Sequence, residues 1–251
     1  MIHNTAIVSK KAQIAKNVKV GPFVVIEDDV VVDSNTEILA GSILQNGSRI
    51  GKNCYIGPYA SIATIPMDNH FNDETSFVII EDNVQIRNYV TISRASGKDK
   101  STVIGTKTMI MSFVHVSHNC KIGQEVVIVS GVRLGGYVEL DDYAFLSANS
   151  LVHQFCRIGK YAITAAGSGI NRDVLPFSMV YGHQAKHYRL NKIGLERRGI
   201  VGERYKLIEK AIRAFRKKDW DLLNELSNQS DDVKDMLEFK QSSQRGLLSF
   251  V

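Results

Sequence analysis

The sequence predicts a mainly β protein, a parallel β-helix built from hexapeptide repeats, followed by a C-terminal α-helical domain. Three observations predict it. A large aliphatic recurs every sixth residue over two thirds of the chain; a small or β-branched residue stands four places after each of these; and the spacing becomes helical after about residue 203.

The aliphatic beat begins at Ile2, Val8, Ile14 and Val20 and reaches Ile62 without slipping phase. It resumes at Ile80, Ile86 and Ile92, then runs from Ile104 through Val116, Ile122 and Leu134 to Ile170, with Thr164 the one slot that lacks a large aliphatic. A helix needs spacings of three and four, and a half-buried strand needs sustained alternation; a period of six is neither. The companion slot holds Ala6, Ala12, Val18, Thr36, Ser42, Cys54 and Ala60, and later Cys120, Val126, Cys156 and Ala162. Side chains alternate faces along a strand, so two inward residues two positions apart define one short strand per hexad, and the remaining residues make a bend. Gly21, Gly51, Gly57, Gly105, Gly123, Gly135 and Gly159 follow the beat directly and are read as bend chemistry, with Asn and Asp nearby. Stacked hexads give a parallel β-helix.

Register decides the cysteines. Cys54, Cys120 and Cys156 all occupy the inward small slot, which makes them buried thiols rather than disulfide or metal partners. Two insertions interrupt the beat, one at about 63–78 with Pro66-Met67-Asp68-Asn69-His70-Phe71, the other at about 95–102, which reads as a mobile polar loop. After Ile170 an irregular stretch is expected to about Arg189. Tyr205, Leu207, Ile208, Ala211, Ile212 and Phe215 then predict a helix over 203–218, with a short helix around Leu222–Leu226 and a third from Asp231 to about Gln244. The expected domains are 1–189 and 190–251, the second capping the open end of the solenoid.

Composition bounds the partners. The chain has 251 residues, 44% of them hydrophobic, and only four prolines, so it is expected to fold throughout. No apolar run reaches the ~18–20 residues that span a bilayer, and the first residues lack a signal peptide's apolar segment, so the expected compartment is the cytoplasm. The formal charge of +5 is not gathered into a block. It suits an acidic partner or a phosphorylated ligand and equally a solvated lysine-rich surface; no nucleic acid is implied.

The phosphate-cradling GxxxxGK[ST], the dinucleotide GxGxxG and the zinc-binding HExxH are absent. What remains is histidine, asparagine and aspartate on a rigid wall. Acyl transfer from a thioester needs a base for the acceptor's proton and a donor for the tetrahedral oxyanion, which one imidazole and one backbone N–H can supply.

His115-Val-Ser-His118-Asn119-Cys120, Gly135-Gly136, Leu151-Val-His153-Gln154-Phe155-Cys156, Asp173-Val-Leu-Pro176 and Asn191-Lys-Ile-Gly-Leu-Glu-Arg197-Arg198-Gly199 occur in an order and spacing that resemble the UDP-N-acetylglucosamine 3-O-acyltransferases, which open lipid A synthesis. The resemblance implies the left-handed form of the parallel β-helix, against the right-handed default of parallel crossovers. It implies His118 as general base, Asp68 as the acid that orients it, and Gly136 N–H as oxyanion donor. It places His70, His115, His153, Gln154, Asn191, Arg197 and Arg198 at positions that bind the nucleotide sugar or the phosphopantetheine donor. It implies a 3-hydroxyacyl group carried on acyl carrier protein, no cofactor or metal, and a homotrimer with clefts between subunits. Ala166 matches the wall that limits the acyl chain, where a glycine would leave a deeper pocket.

Plainer readings stand beside these. His118 alone would be a surface-turn histidine, Asp68 a loop former, His153 a packing residue, and Arg197 and Arg198 solvated helix charges. The sequence also departs from the family at Met67, His70, Ser93, Asn119 and Tyr137, where glutamine, lysine, histidine, an acid and histidine are usual. Those departures keep open an amide-forming enzyme acting on a 3-amino nucleotide sugar, or on another nucleotide sugar. A zinc lyase resembling the γ-class carbonic anhydrases would use His115 and His118 but finds Arg133 and Gly136 one coil on. A non-catalytic scaffold is the third class.

Overall fold

The computed structural model describes residues 1–251. From Ile7 on, each hexad makes one strand of two to four residues that includes the beat position, as in Ile7–Val8, Gln13–Ile14 and Lys19–Val20. Strands three apart in sequence pair in parallel, Val8 with Ile26 and Ile26 with Leu44, so three hexads complete one triangular coil. Three sheets of nine, eight and ten strands result. Ile7–Val8 starts the first, Gln13–Ile14 the second and Lys19–Val20 the third. The architecture is the left-handed parallel β-helix with C-terminal helices that was expected. Ile62 pairs with Ile92 and Ile92 with Val116, spacings lengthened over the ordinary coil by whole hexads, which is why the insertions leave the phase intact.

The beat aliphatics form a continuous core in which Ile56, Ile62, Ile86 and Ile92 have no exposure. Polar residues in the small slots satisfy their hydroxyls locally: Thr36 donates to the Gly51 carbonyl at 2.8 Å and Ser42 to that of Gly57 at 2.7 Å. All three cysteines are buried free thiols, and burial pushes the Cys120 thiol up to about 12. Only the first coil, with Ala6 and Ala12 half-buried, lacks a neighbour on one side.

The corners differ from expectation. The left-handed residue lies three places after the beat and is seldom glycine: Asn17, Asn35, Asn53 and Asn119 hold φ between 54° and 67°. Asparagine tolerates that conformation well. Aromatics in the same slot stack between coils instead, Tyr59 on Tyr89 at 5.3 Å and Tyr137 on Phe155 at 4.9 Å. The glycines directly after the beat have ordinary φ; they are required because the next coil is too close. A Cβ on Gly105 would stand 2.5 Å from the Gly123 backbone.

Past residue 94 the chain is more fully bonded than expected. In the second insertion Ser96, Gly97, Asp99 and Lys100 all donate backbone hydrogen bonds, and Glu74 clasps Gly97 so that the two insertions are tied together. The stretch before Arg189 is not irregular. Ser178–Tyr181 extends the third sheet beside Ile163–Thr164, and Lys186–Leu190 folds back on it antiparallel. Helices α1 (Lys192–Arg197), α2 (Gly202–Lys217), α3 (Trp220–Ser227) and α4 (Asp231–Ser242) follow. They share a second core of 15 buried residues with Leu175 and Phe177 of the solenoid end. The helix α1 is too short and polar to have shown a periodic signal.

His187 ties this end together. Its Nε2 accepts from Leu175 N–H and its Nδ1 donates to the Leu248 carbonyl, both at 2.9 Å. Burial holds its pKa down at about 4. The unfolded chain therefore takes up this proton first as pH falls, so the stabilisation present above about pH 6.5 is lost between there and pH 4, on the order of 3 kcal/mol. Half-buried Asp141, raised to about 6 by desolvation, acts in the opposite sense. The test is thus a difference: urea unfolding of wild type and His187→Gln at pH 7 and pH 4.5, with the gap between them expected to shrink at the lower pH. A gap independent of pH would reject it.

Candidate active site

Three successive coils place the residues two positions after the beat one above another: His118 after Val116, Gly136 after Leu134 and Gln154 after Val152. Backbone bonds lock this stack, Tyr137 N–H to the His118 carbonyl and Phe155 N–H to that of Gly136, both at 3.0 Å. His118 is 9% exposed. Its Nε2 lies over Gly136, where a Cβ would stand 2.6 Å away, so only glycine leaves the ring room. The Gly136 N–H has no acceptor within the chain. Tyr137 packs edge-on against the imidazole with centroids 5.4 Å apart.

Nδ1 of His118 lies 2.9 Å from Asn119 Oδ1 and 3.7 Å from Asp68 Oδ2. The nearer partner is thus the amide, and the orienting hydrogen bond expected of Asp68 is made by Asn119. Asp68 faces the same nitrogen without a hydrogen bond to it. The His70 N–H donating to Oδ1 at 3.0 Å, with smaller help from Ser96 and His118, holds its carboxyl below the usual range. The first insertion, with its Asp68–His70 turn, thus carries a carboxylate to the corner where His118 stands.

The other expected residues divide into two sets. His115 projects from the first sheet, its Nδ1 2.7 Å from the Thr91 hydroxyl and its Nε2 3.1 Å from that of Ser117. Burial first, then the charges of Arg133 and His118, lowers its pKa. His153 and Gln154 are exposed at the same corner, His153 Nδ1 facing the Gln154 carbonyl at 3.1 Å. Beside them a hollow of about 480 Å³ is lined by Met67, His115, Arg133, Leu151, His153 and His183. Larger hollows on the second sheet and beneath the C-terminal tail include none of these groups.

Asn191, Arg197 and Arg198 do not join this set in a single chain. Asn191 is the N-cap of α1, its Oδ1 accepting from Gly194 N–H at 3.2 Å and its Nδ2 donating to the Tyr161 carbonyl at 2.8 Å. Arg198 stacks on Tyr143 and pairs with Glu125, at the corner after the second sheet, while Arg197 is exposed. Ala166 is exposed at the corner before Gly169, at the far edge of the first sheet, and does not line the hollow. The histidines do not form a metal-ligand cluster: no group of three His, Cys, Asp or Glu side chains converges.

Two residues at this corner escaped the sequence reading. Ser96, whose backbone clasps Asn119, belongs to an insertion with no periodic signal. Tyr137 stood out only as a departure, not as a contact of His118.

A family profile described as UDP N-acetylglucosamine O-acyltransferase, domain 2, matches residues 173–248, and one described as bacterial transferase hexapeptide (six repeats) matches 101–136. A protein of Thermodesulfovibrio yellowstonii named acyl-[acyl-carrier-protein]--UDP-N-acetylglucosamine O-acyltransferase is 39% identical over 98% of both chains, and one of the same name from Halorhodospira halophila is 37% identical over 98% of both. Among solved structures, the UDP-N-acetylglucosamine acyltransferase of Francisella novicida superposes with a TM-score of 0.95 at 36% identity, covering 99% of this chain and 94% of that one. That of Bacteroides fragilis gives 0.93 at 33%, covering 99% and 100%. With full-length likeness in sequence and in backbone, the chain belongs to the UDP-N-acetylglucosamine O-acyltransferase family.

Proposed function

We propose that the protein transfers an acyl chain, a 3-hydroxyacyl group by family resemblance, from acyl carrier protein to the 3-hydroxyl of UDP-N-acetylglucosamine, the opening step of lipid A synthesis. The observation that carries this reading is His118 held over Gly136, one with a ring nitrogen free of any partner, the other with an unbonded N–H. Nε2 removes the hydroxyl proton as the oxygen attacks the thioester carbonyl, and Gly136 N–H stabilises the resulting oxyanion. Collapse expels the phosphopantetheine thiolate, which takes the proton back from the imidazolium. Asp68 favours that imidazolium by its charge.

His70, His115, His153 and Gln154 are assigned to substrate contacts around the hollow, and Asn191, Arg197 and Arg198 to the nucleotide or the donor arm. Because Arg198 sits at another corner from His118, a site holding both sets needs a second copy of the chain. A homotrimer supplies it. The outward positions of the third sheet support self-association, changing from Lys19 and Glu37 to Met109, Val127, Phe145 and Ile163, all half-buried. Sedimentation as a 27.9 kDa monomer would count against it. An acyl carrier protein donor is consistent with a reaction in the cytoplasm; no helix is long and apolar enough to cross a membrane.

The test is acyl transfer by the purified protein from a panel of 3-hydroxyacyl and plain acyl carrier proteins to UDP-N-acetylglucosamine and its 3-amino analogue. Product on the hydroxyl sugar is expected. Product on the amino sugar alone would change the reaction to amide formation. The same panel assays Ala166: Ala166→Gly is expected to move the preferred chain to greater length, with discrimination changing about tenfold, since a methylene is worth ~1–3 kcal/mol in an apolar pocket. An unchanged order of preference removes Ala166 from that role.

A further inference from the structure

We propose that Asn119 is the positioning residue of the base, its carboxamide setting the proton of His118 on Nδ1 while adding no second negative charge beside the ring. This rests on the proposed role of His118.

Asn119 is held at three points. Its backbone N–H donates to Thr102 Oγ1 at 2.9 Å, Ser96 N–H donates to its side-chain Oδ1 at 2.9 Å, and its Nδ2 donates to the Ser96 carbonyl at 3.0 Å. The two bonds to the Ser96 backbone decide which end of the amide is which. A flipped side chain would set its NH₂ against an N–H and its oxygen against a carbonyl. The atom 2.9 Å from His118 Nδ1 is therefore an oxygen that can only accept. Nδ1 must carry the hydrogen, and a neutral imidazole has one, so the lone pair is on Nε2, over Gly136.

Chemistry favours this arrangement over the acid usual at position 119. A base must be neutral to act, and each carboxylate beside it raises the pH below which it is charged. The ionisable groups facing His118 are Asp68 from the first insertion, His115 from its own coil and Tyr137 from the next; the second insertion offers only the uncharged Ser96. Asp68 is thus the one carboxylate, and at 3.7 Å it does not take the Nδ1 proton. Orientation and charge, roles a single acid would combine, are divided between Asn119 and Asp68. The division also gives the second insertion a purpose: through Ser96 it holds the amide, and through Gly97 it is anchored to Glu74 of the first.

The test compares Asn119→Asp and Asn119→Gly with wild type. Glycine is chosen because Asn119 has φ 59°, where alanine would add backbone strain. Histidine-labelled protein without substrate is titrated by NMR, with His118 assigned by its loss in His118→Gln, and melting temperatures show that each variant folds. In wild type the nitrogen shifts are expected to report Nδ1–H alone. In Asn119→Asp the midpoint of His118 is expected to rise by about one pH unit, and the acidic limb of kcat/KM with it. In Asn119→Gly the single tautomer is lost and kcat falls about tenfold with KM within twofold, whereas Asn119→Asp recovers kcat above its shifted limb. A midpoint unmoved in Asn119→Asp, or a single Nδ1–H tautomer kept in Asn119→Gly, overturns the proposal. Because the titration needs no substrate, the expected NMR result with no product from any donor and acceptor would overturn the functional reading and leave the assignment of Asn119 standing.

Discussion

Replacing His118 by alanine is expected to lower kcat/KM by about 10³-fold, with kcat bearing nearly all of the loss. A positioned base contributes about 10²–10⁴-fold, and no other side chain at this corner has the geometry to take over. His115 is the nearest alternative, but both its nitrogens face hydroxyls, those of Thr91 and Ser117. Asp68 is held as a carboxylate by the His70 N–H, and its distance from Nδ1 places it on the far side of the ring from Nε2. The variant should fold, since the beat aliphatics on either side, Val116 and Ile122, are untouched and the removed ring makes one hydrogen bond, worth about 1 kcal/mol. A structural effect would respond to temperature and leave residual activity proportional to folded protein. A missing base instead leaves a ring-sized hollow over Gly136 that added imidazole can enter. Partial restoration by imidazole, with none in wild type, is the expected signature. More than a tenth of wild-type kcat in a folded His118→Ala protein would remove His118 from the role of base.

The solenoid was legible in the sequence because its cause is local and repeated. Every inward slot must be filled in every coil, so one rule is stated more than twenty times between Ile2 and Ile170, and chance cannot mimic it. The cysteines fell out of the same rule. The corners were read less well for a physical reason: Gly105 and Gly123 looked like bend formers, yet what they share is a neighbouring coil a few ångströms away, a contact made across a whole coil rather than within the hexad. The same distinction explains the hairpin of Ser178–Tyr181 with Lys186–Leu190, whose strands are fixed by the coil they rest on and by the returning tail, where Phe250 bridges His187. At the site, His118 and Gly136 were legible because they lie one coil apart on a periodic scaffold. The exchange of partners between Asp68 and Asn119 was not, since it depends on where two aperiodic insertions settle.

The second large effect is expected at Gly136. Its φ is ordinary, so alanine imposes no backbone strain, and the backbone N–H proposed as oxyanion donor survives the change. The added methyl has one conflict, with His118 Nε2 at 2.6 Å and Cε1 at 2.7 Å. An imidazole on a free side chain would turn aside at little cost. This one is held at Nδ1 by an amide that is itself clasped by Ser96, with Tyr137 against its edge, so turning breaks that hydrogen bond and moves Nε2 by about 1 Å. Misplacement on that scale lowers rates about 10²-fold, so kcat of Gly136→Ala should fall by about that factor while KM stays within threefold. Gly135→Ala is the informative contrast. There the methyl would meet the backbone nitrogen of Gln154 at 2.6 Å, an atom of the coil wall that cannot swing away, and the expected loss is in melting temperature first and activity second. If Gly136→Ala kept more than half of wild-type kcat, the ring would have to be free to move, and the account of a base held rigid over that glycine would fail. If Gly136→Ala and Gly135→Ala lost stability and activity in the same proportion, the two glycines would share a packing role and neither would belong to the chemistry.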